Sequence, residues 1–231
     1  ILIPVYNEIN HIEKCLNDVL NINIENFDKE IIISDNNSND GTKEYLSKLK
    51  KPNLKILFQK NNRGKGANLI NALKHANGDI VIFQDSDMEY PAINYNDLIE
   101  PFIKYNADVV YGTRLTGSKM TKILGYPNFI ANKIITIIFN ILFNKLFTDV
   151  ETGHKLFSKK LIDSLNLQSN GFEIEIEVSC KISTKKNINI YEVPIIIDSR
   201  RYNEGKKVKI SDFFVAIYSI FKWRILLFFN K

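Results

Sequence analysis

The chain has 231 residues, 45% of them hydrophobic and 25% charged, an ordinary balance for one large globular domain or two small ones. A net charge of +5 and a pI near 9.0 permit anionic partners such as nucleotides, lipid phosphates or a membrane surface, and we expect no nucleic-acid partner. Two cysteines, Cys15 and Cys180, exclude a disulfide framework and a cysteine zinc site, so we expect a reducing compartment.

The first half of the chain alternates apolar runs with segments of helical spacing. The apolar runs predict strands at residues 1–6, 30–34, 55–58, 80–83 and 108–111. Helices are predicted at residues 11–20, after the start signal at 40–42, and at residues 65–76. This alternation indicates an α/β fold with a mostly parallel sheet and helices on both faces. Because residue 1 already lies in a predicted strand, we expect a trimmed start, and no signal peptide is visible.

Three of the predicted strands are followed by carboxylates. Glu8 follows the first strand, Asp35 the second, and Asp85 and Asp87 the fourth. Ligands of such sheets bind at the carboxyl ends of the strands, so these groups are expected at one edge. Asp85 and Asp87 point the same way in extended chain, which suits a shared Mg²⁺ or Mn²⁺ that keeps sites free for diphosphate oxygens. A lone Asp-x-Asp is also typical of a solvated turn, but three such strand ends favour a metal–nucleotide site.

Other catalytic signatures are missing or ambiguous. The sequence has no Gly-x-Gly-x-x-Gly, no Walker-type loop and no Gly-x-Ser-x-Gly elbow, so covalent hydrolase chemistry is unsupported. An Arg-Gly-Lys-Gly run at 63–66 either approaches an anion through backbone N–H groups or forms a plain loop and helix cap. His11, His75 and His154 lie at no metal-ligand spacing and are interpreted as surface or packing residues.

Two long apolar segments occupy the second half. In the first, polar residues recur every four positions and form one narrow stripe along an otherwise apolar helix: Asn132, Thr136, Asn140, Asn144 and Thr148. This helix is expected to meet another helix or a bilayer surface, or to be buried within the domain, and the sequence favours neither.

The second apolar segment, residues 213–229, is broken by Lys222 and Arg224. It falls short of the roughly 20 apolar residues of a membrane span, so we expect an interfacial helix. A basic cluster precedes it, with members Arg200, Arg201, Lys206, Lys207 and Lys209. A solvated face is one interpretation, but its place next to apolar helices favours a contact with lipid headgroups or a phosphate.

Several motifs occur in a fixed order along the chain. They are PVYNE at 4–8, DNNSNDGT at 35–42, NRGKG at 62–66, QDSDMEYP at 84–91, GTR at 112–114, DVETG at 149–153, EVP at 192–194, and Arg200 with EGKK at 204–207. Each motif alone is weak, but the ordered set closely resembles the family 2 glycosyltransferases, in the branch of dolichol-phosphate mannose synthase and its bacterial polyprenyl-phosphate relatives. The resemblance covers essentially the whole chain.

The resemblance implies a nucleotide-sugar-binding α/β/α sandwich, Rossmann-like and of GT-A type, with C-terminal amphipathic interfacial helices. It implies one catalytic domain at 1–210, with a nucleotide-sugar-binding half at 1–115 and an acceptor half at 116–210, followed by an interfacial helix at 211–231. The implied reaction is inverting, metal-dependent transfer of a hexose from a GDP-mannose or UDP-glucose type of donor to a polyprenyl or dolichyl phosphate. The chain would act peripherally at the cytoplasmic face of a membrane, with a membrane subunit or a second copy as candidate partners.

The resemblance also assigns roles to single residues. Donor-binding residues are expected to be Pro4, Tyr6, Glu8, Asp35, Lys65, Gln84 and Asp85, with Asp35 accepting a hydrogen bond from the base. Metal ligands for Mg²⁺ or Mn²⁺ are expected to be Asp85, Asp87 and Glu89. The catalytic set comprises Asp85, Asp87, Arg114, Arg200, Lys206 and Asp149, in which the cations contact the donor diphosphate or the acceptor phosphate.

Alternatives remain for the acceptor. A lipid phosphate is already an anion and needs only cations to hold it in line with the anomeric carbon. A hydroxyl acceptor, as in cell-surface polysaccharide or glycolipid assembly, needs a base, and Asp149 is the candidate, although it equally suits a structural cap. A non-catalytic nucleotide-sugar-binding scaffold is disfavoured by the intact acidic set. A nucleotidyltransferase is disfavoured because no glycine-rich, basic loop follows the first strand.

The sequence departs from the family pattern at four places. Asn36-Asn37 replaces the commoner Asp-Gly, Glu89 stands where Gln is frequent, His154 stands where an aromatic is common, and Asp198-Ser199 replaces aromatic residues before Arg200. These departures bear on the acceptor and the metal more than on the reaction class.

Overall fold

The computed structural model describes residues 1–115, 126–198 and 210–229. The strands in these ranges are β1 (Leu2–Val5), β2 (Ile31–Asp35), β3 (Leu54–Phe58), β4 (Ile80–Ile82), β5 (Val109–Thr113), β6 (Lys155–Ser158) and β7 (Ile190–Pro194). The helices are α1 (Ile12–Asn21), α2 (Thr42–Ser47), α3 (Lys65–Leu73), α4 (Asn94–Tyr105), α5 (Tyr126–Phe143), α6 (Lys159–Ser164), α7 (Ile174–Ser183) and α8 (Ile210–Phe229). The five predicted strands and the three predicted helices of the first half are all present.

The strands lie side by side in the order β3-β2-β1-β4-β6-β5-β7. The pairs β1–β2, β2–β3 and β5–β7 are parallel, and a parallel bridge from Leu2 to Phe83 joins β1 to the end of β4. Strand β6 runs antiparallel to both β4 and β5. The predicted α/β fold with a mostly parallel sheet is confirmed. Strands β6 and β7 were not predicted, because β6 contains only two apolar residues, Leu156 and Phe157, and Glu192 interrupts β7.

Each face of the sheet carries its own hydrophobic core, because successive residues of a strand point to opposite faces. Leu2 and Ile32 pack on one side with residues of α3, α5, α6, α7 and α8. Ile3 and Ile33 pack on the other side with residues of α1, α2 and α4. The molecule is therefore an α/β/α sandwich, as expected.

Helix α5 turns its polar stripe toward the rest of the protein. The Thr136 hydroxyl accepts a hydrogen bond from the Val150 amide at 3.3 Å. The Asn140 side chain accepts a hydrogen bond from the Phe147 amide at 2.9 Å and donates one to the Phe147 carbonyl at 2.8 Å. These side chains of the stripe thus hold the segment between α5 and β6 against the helix. The helix ends at Phe143 because Asn144, whose φ is +50°, takes the left-handed conformation that terminates helices.

The apolar residues of α5 and α8 divide between the core and the surface. The two helices pack against each other, α8 also packs on α7, and Ile220 and Trp223 anchor α8 in the core. Ile141 of α5 and Phe229 of α8 remain 75% and 78% exposed. Within the described ranges, α5 is the one helix whose length and apolar composition suffice to cross a membrane. The expected interfacial helix at 211–231 corresponds to α8.

Candidate active site

A cavity of about 1150 Å³ opens at the carboxyl ends of β1 and β4. Its polar part is lined by residues of the strand ends, the start of α3 and the turns before β6: Pro4, Tyr6, Glu8, Asn36, Lys65, Asp85, Asp87, Glu89, Tyr90, Arg114 and Glu151. Its other part lies between α5 and α8 and is lined mainly by apolar residues, among them Ile130, Ile134, Phe213 and Phe214. One cavity therefore joins a charged edge of the sheet to an apolar channel.

Asp85, three residues after the end of β4, lines the polar part of the cavity and is bound by a lysine. The Lys65 ammonium is 2.7 Å from Asp85 Oδ1 and 3.0 Å from Oδ2. Burial raises the pKa of Asp85 to about 6, although Lys65 acts in the opposite direction. Gly153 packs directly on this carboxylate, since a Cβ at Gly153 would lie 2.6 Å from Asp85 Oδ2. A side chain at this position would force the Asp85 carboxylate to move.

Lys65 also links Asp85 to a carboxylate that the sequence did not reveal. Its ammonium lies 3.0 Å from Glu175 Oε1, and Glu175 Oε2 lies 2.5 Å from the buried ammonium of Lys155. Lys155 also donates to the Thr152 carbonyl. Burial alone would lower the pKa of Lys65, but Asp85 and Glu175 together raise it above its usual value. The result is an alternating row of charges from Asp85 to Lys155, of which Asp85, Lys65 and Glu175 line the cavity.

The Arg-Gly-Lys-Gly run at 63–66 is shaped by packing against the segment 169–171. Gly64 has a φ of +96°, and a Cβ on Gly64 or Gly66 would collide with the backbone of that segment. The Ala67 amide, in the first turn of α3, donates to the Asn170 carbonyl at 3.0 Å. Within the run, the amides of Arg63 and Gly64 donate to Asn36 Oδ1 and Asn62 Oδ1, each at 3.0 Å, so these two N–H groups serve the loop and not an anion. The side chain of Lys65 nevertheless reaches the cavity.

Arg114 lies at the cavity wall and is paired with Asp149. Its Nε and Nη2 donate to the two carboxylate oxygens of Asp149 at 2.5 and 2.6 Å, and its amide donates to Oδ2 at 3.2 Å. Asp149 is fully buried, and its pairing raises the pKa of Arg114 despite the opposing effect of burial. Arg114 Nη1 lies 3.5 Å from the Tyr90 hydroxyl. With both oxygens engaged, Asp149 is placed to position Arg114 rather than to take a proton from an acceptor.

The expected donor-binding residues differ in how they meet the cavity. Pro4, Tyr6 and Glu8 line it. Asp35 is fully buried behind the lining: its Oδ2 accepts the Ser38 amide at 3.1 Å, and its Oδ1 has no hydrogen-bond partner among the described residues. An unpaired buried carboxylate oxygen is costly, so a ligand donor suits it.

Gln84 does not line the cavity. Its amide nitrogen donates to the carbonyls of Asp85 and Tyr90, each at 2.9 Å, and its amide oxygen accepts the Tyr95 hydroxyl at 2.7 Å. This amide braces the turn that carries Asp85. Its expected contact with the donor is therefore indirect in this structure.

The three expected metal ligands follow one another along the turn after β4. Asp85, Asp87 and Glu89 all line the cavity, and Asp87 Oδ1 accepts the Glu89 amide at 3.1 Å. No three His, Cys, Asp or Glu side chains of the described chain lie close enough to hold a metal ion by themselves. The donor chemistry fits a hard divalent cation only if a bound ligand supplies further oxygens, as a diphosphate does.

Arg200 and Lys206, expected in the catalytic set, lie outside the described residues, as does the whole basic cluster. His154, in contrast, is fully buried and packs between two aromatic rings. Its ring is stacked on Tyr90 at 5.0 Å and on Tyr95 at 5.7 Å between centroids. Burial lowers the pKa of His154 to about 3, so the ring is neutral and takes the place of an aromatic side chain.

Comparison with known protein families places these features in context. The family model described as Glycosyl transferase family 2 matches residues 1–165. The chain is 28% identical over 228 residues to a dolichol-phosphate mannosyltransferase of Pyrococcus furiosus, an alignment that covers 96% of this chain and 63% of that protein. It is 27% identical over 238 residues to a UDP-N-acetylglucosamine–dolichyl-phosphate N-acetylglucosaminyltransferase of Methanococcus voltae, with 95% and 93% covered.

Solved structures show the same fold at lower identity. Glucosyl-3-phosphoglycerate synthase from Mycobacterium tuberculosis, in complex with Mn²⁺, UDP and phosphoglyceric acid, matches with a TM-score of 0.74 and 17% identity, over 96% of this chain and 77% of that chain. S. aureus TarS in complex with UDP-GlcNAc matches with a TM-score of 0.61 and 18% identity, over 95% and 64%. At these identities the likeness concerns the fold, and it confirms the predicted sandwich.

Proposed function

Because the chain belongs to glycosyl transferase family 2, we propose that it transfers a hexose from a nucleotide-sugar to a polyprenyl phosphate at a membrane surface. The observation that carries this proposal is the composite cavity, in which a charged edge of the sheet opens into an apolar channel between α5 and α8. A nucleoside diphosphate suits the first part, and an isoprenoid chain suits the second. The two dolichyl-phosphate relatives support the same choice of acceptor.

On the donor side, each strand end binds a different part of the nucleotide-sugar. Pro4, Tyr6 and Glu8 line the space for the base and ribose. Asp35 lies buried behind this lining, and its unpaired Oδ1 would accept a hydrogen bond from the base once the lining residues move aside. Asp85 and Asp87, with Glu89 nearby, would hold Mg²⁺ or Mn²⁺ against the diphosphate. The metal, when bound, neutralises the charge that develops on the departing nucleoside diphosphate. Lys65 supplies a further positive charge beside Asp85.

On the acceptor side, positive charge matters more than a base. A phosphate acceptor is an anion at neutral pH, and a cation at the cavity wall can hold it in line with the anomeric carbon. Arg114 is such a cation, fixed in place by Asp149. Arg200 and Lys206 are proposed to join it. Direct attack by the phosphate oxygen on the side opposite the leaving diphosphate inverts the anomeric configuration.

The exposed apolar surfaces of α5 and α8 provide the membrane contact in this proposal. Ile137 and Ile141 of α5 and Phe221 and Phe229 of α8 face outward. They belong to the two helices that line the channel but lie further along each helix than the lining residues. Phe214, which lines the channel, is itself 65% exposed, so a lipid chain can stay close to the bilayer while its headgroup reaches the charged end. We propose a peripheral location on the cytoplasmic face.

The direct test is a transfer assay with UDP-glucose, UDP-N-acetylglucosamine and GDP-mannose, each with a short polyprenyl phosphate and Mn²⁺ or Mg²⁺. We expect a polyprenyl-phosphate-linked sugar as the product, and we expect the Asp85→Ala/Asp87→Ala double variant not to form it. Glu100→Ala, which removes an exposed carboxylate of α4, serves as the matched control and should retain transfer. Transfer that survives in the double variant would contradict the metal assignment. Donor binding by the wild-type protein without transfer to any polyprenyl phosphate would contradict the phosphate acceptor.

A further inference from the structure

Glu151 lines the cavity and lies in the chain between the residues that contact two charged pairs, Arg114–Asp149 and Lys65–Asp85. It belongs to neither pair. Two residues before it, Asp149 is bound to Arg114, and two residues after it, Gly153 packs on Asp85. Glu151 itself lines the cavity and is partly buried. It therefore stands between the expected site of the diphosphate and the expected site of the acceptor.

The carboxylate of Glu151 has no hydrogen-bond donor or ion-pair partner among the described residues. The nearby carboxylates of Asp85, Asp149 and Glu175 are all paired with a lysine or an arginine. Burial raises the pKa of Glu151 to about 7, while Lys155 and Arg114 act more weakly in the opposite direction. A half-buried carboxylate without donors is costly, and such a group is satisfied when a ligand supplies the donors.

The chemistry of the substrates indicates which of their groups donates a hydrogen bond to Glu151. The diphosphate of a nucleotide-sugar carries negative charge and no proton at neutral pH, so it offers Glu151 no hydrogen-bond donor and repels its ionised form. The nucleobase and ribose are expected at the other strand ends, beside Asp35, Tyr6 and Glu8. The remaining part of a nucleotide-sugar is the hexose, whose hydroxyl groups donate hydrogen bonds readily.

We propose that Glu151 binds hydroxyl groups of the transferred hexose and thereby determines which sugar the site accepts. This inference rests on the proposed glycosyltransferase function. A site built to hydrogen-bond a substrate hydroxyl discriminates strongly against a ligand that lacks it, because the buried acceptor is then left unpaired. Glu151 is in this sense a specificity residue, and Asp149 beside it is a positioning residue for Arg114.

The test compares the binding of a donor with that of its free nucleoside diphosphate. Calorimetry with Mn²⁺ gives the Kd values of UDP, UDP-glucose, UDP-N-acetylglucosamine, GDP and GDP-mannose for the wild-type protein, Glu151→Ala and Glu151→Gln. For whichever donor the wild-type protein binds, we expect Glu151→Ala to weaken donor binding relative to the diphosphate by about tenfold. Binding of the diphosphate itself should be unchanged or tighter. Glu151→Gln, which keeps an acceptor oxygen, should lose less than Glu151→Ala.

Glu173→Gln is the matched control, because Glu173 also lines the cavity but its Oε1 already accepts the Gly171 amide at 3.0 Å. This variant should leave the ratio of the two affinities unchanged. An unchanged ratio in both Glu151 variants, with the diphosphate still bound, would overturn the inference while leaving the proposed function intact. Loss of transfer in Glu151→Gln with an unchanged ratio would also overturn it and would assign Glu151 to the acceptor. Failure of the wild-type protein to bind any nucleoside diphosphate would overturn the proposed function and this inference with it.

Discussion

Asp149 holds Arg114 through two side-chain hydrogen bonds of 2.5 and 2.6 Å, and it does so from a position without solvent exposure. The planar guanidinium is thereby fixed at the cavity wall, close to the Tyr90 hydroxyl. A buried, bidentate pair of this kind orients a cation more strictly than an exposed pair does.

Asp149→Asn should destabilise the protein by about 3–5 kcal/mol, because it leaves the Arg114 charge buried without a partner. Urea unfolding measures this loss. Replacing both residues, as in Arg114→Met/Asp149→Leu, should recover part of the stability but not the transfer activity. If Asp149→Asn instead keeps its stability and its donor affinity and loses only transfer, the role of Asp149 as a base for a hydroxyl acceptor gains support.

Gly153→Ala should move the Asp85 carboxylate, because the new methyl group would lie 2.6 Å from its Oδ2. We expect a loss of stability of about 1–3 kcal/mol, typical of overpacking, and weaker Mn²⁺-dependent binding of UDP or GDP. Thermal unfolding and calorimetry measure the two effects. Gly78→Ala is the matched control, since its Cβ would meet only the Ile80 carbonyl at 3.6 Å and should leave both quantities nearly unchanged. Equal effects of the two substitutions would show that Gly153 is not needed for this contact.

His154 should make the protein sensitive to acid. Its pKa is about 3 in the folded protein and about 6.5 in an unfolded chain, so the unfolded state binds more protons between these values. Stability from this group is therefore complete above pH 6.5 and falls as the pH decreases toward 3. Between pH 7 and pH 5 the loss is about 2 kcal/mol.

His154→Phe keeps the stacking on Tyr90 and Tyr95 and removes the titration, so its stability should fall less over the same pH interval. Urea unfolding at pH 7 and pH 5 gives the comparison with the wild-type protein. The same acid-induced loss in both proteins would show that other groups control it.

The exposed apolar residues of α5 and α8 should contribute to membrane binding. Ile141→Glu and Phe229→Glu are each expected to reduce sedimentation with anionic vesicles and to leave the melting temperature nearly unchanged, since both side chains are largely exposed. Ile103→Glu, on α4 and 60% exposed, is the control and should retain vesicle binding. If all three substitutions act alike, the effect comes from added charge and not from a specific surface.

The strand ends were predictable from sequence because sheet geometry alone brings them together. An apolar run followed by Glu8 or Asp85 predicts a strand, and it also predicts the edge of the sheet at which that carboxylate lies. The direction of the α5 stripe was not predictable in the same way. Periodicity shows that Thr136 and Asn140 share a face, but only their contacts with the chain after α5 show that this face points inward.

The remaining residues of the candidate site depend on tertiary pairing. Lys155 and Glu175 are charged residues within apolar stretches, and the sequence around each one does not show that they form an ion pair. His154 was predicted to be a surface or packing residue, and its stacking on Tyr90 and Tyr95 shows that it is a packing residue. Glu151 was recognisable only as part of a motif, because the lack of a partner is visible only when all its neighbours are placed.

Lys65 and Arg114 come from the first half of the chain, yet each finds a carboxylate in the second half, in Glu175 and Asp149. Strand β4 likewise takes β6 as its neighbour, from residues synthesised more than seventy positions later. During translation, Arg114 therefore emerges before its counter-charge, and Lys65 emerges with Asp85 but without Glu175. The charged side of the candidate site is complete only once α7 has left the ribosome and docked.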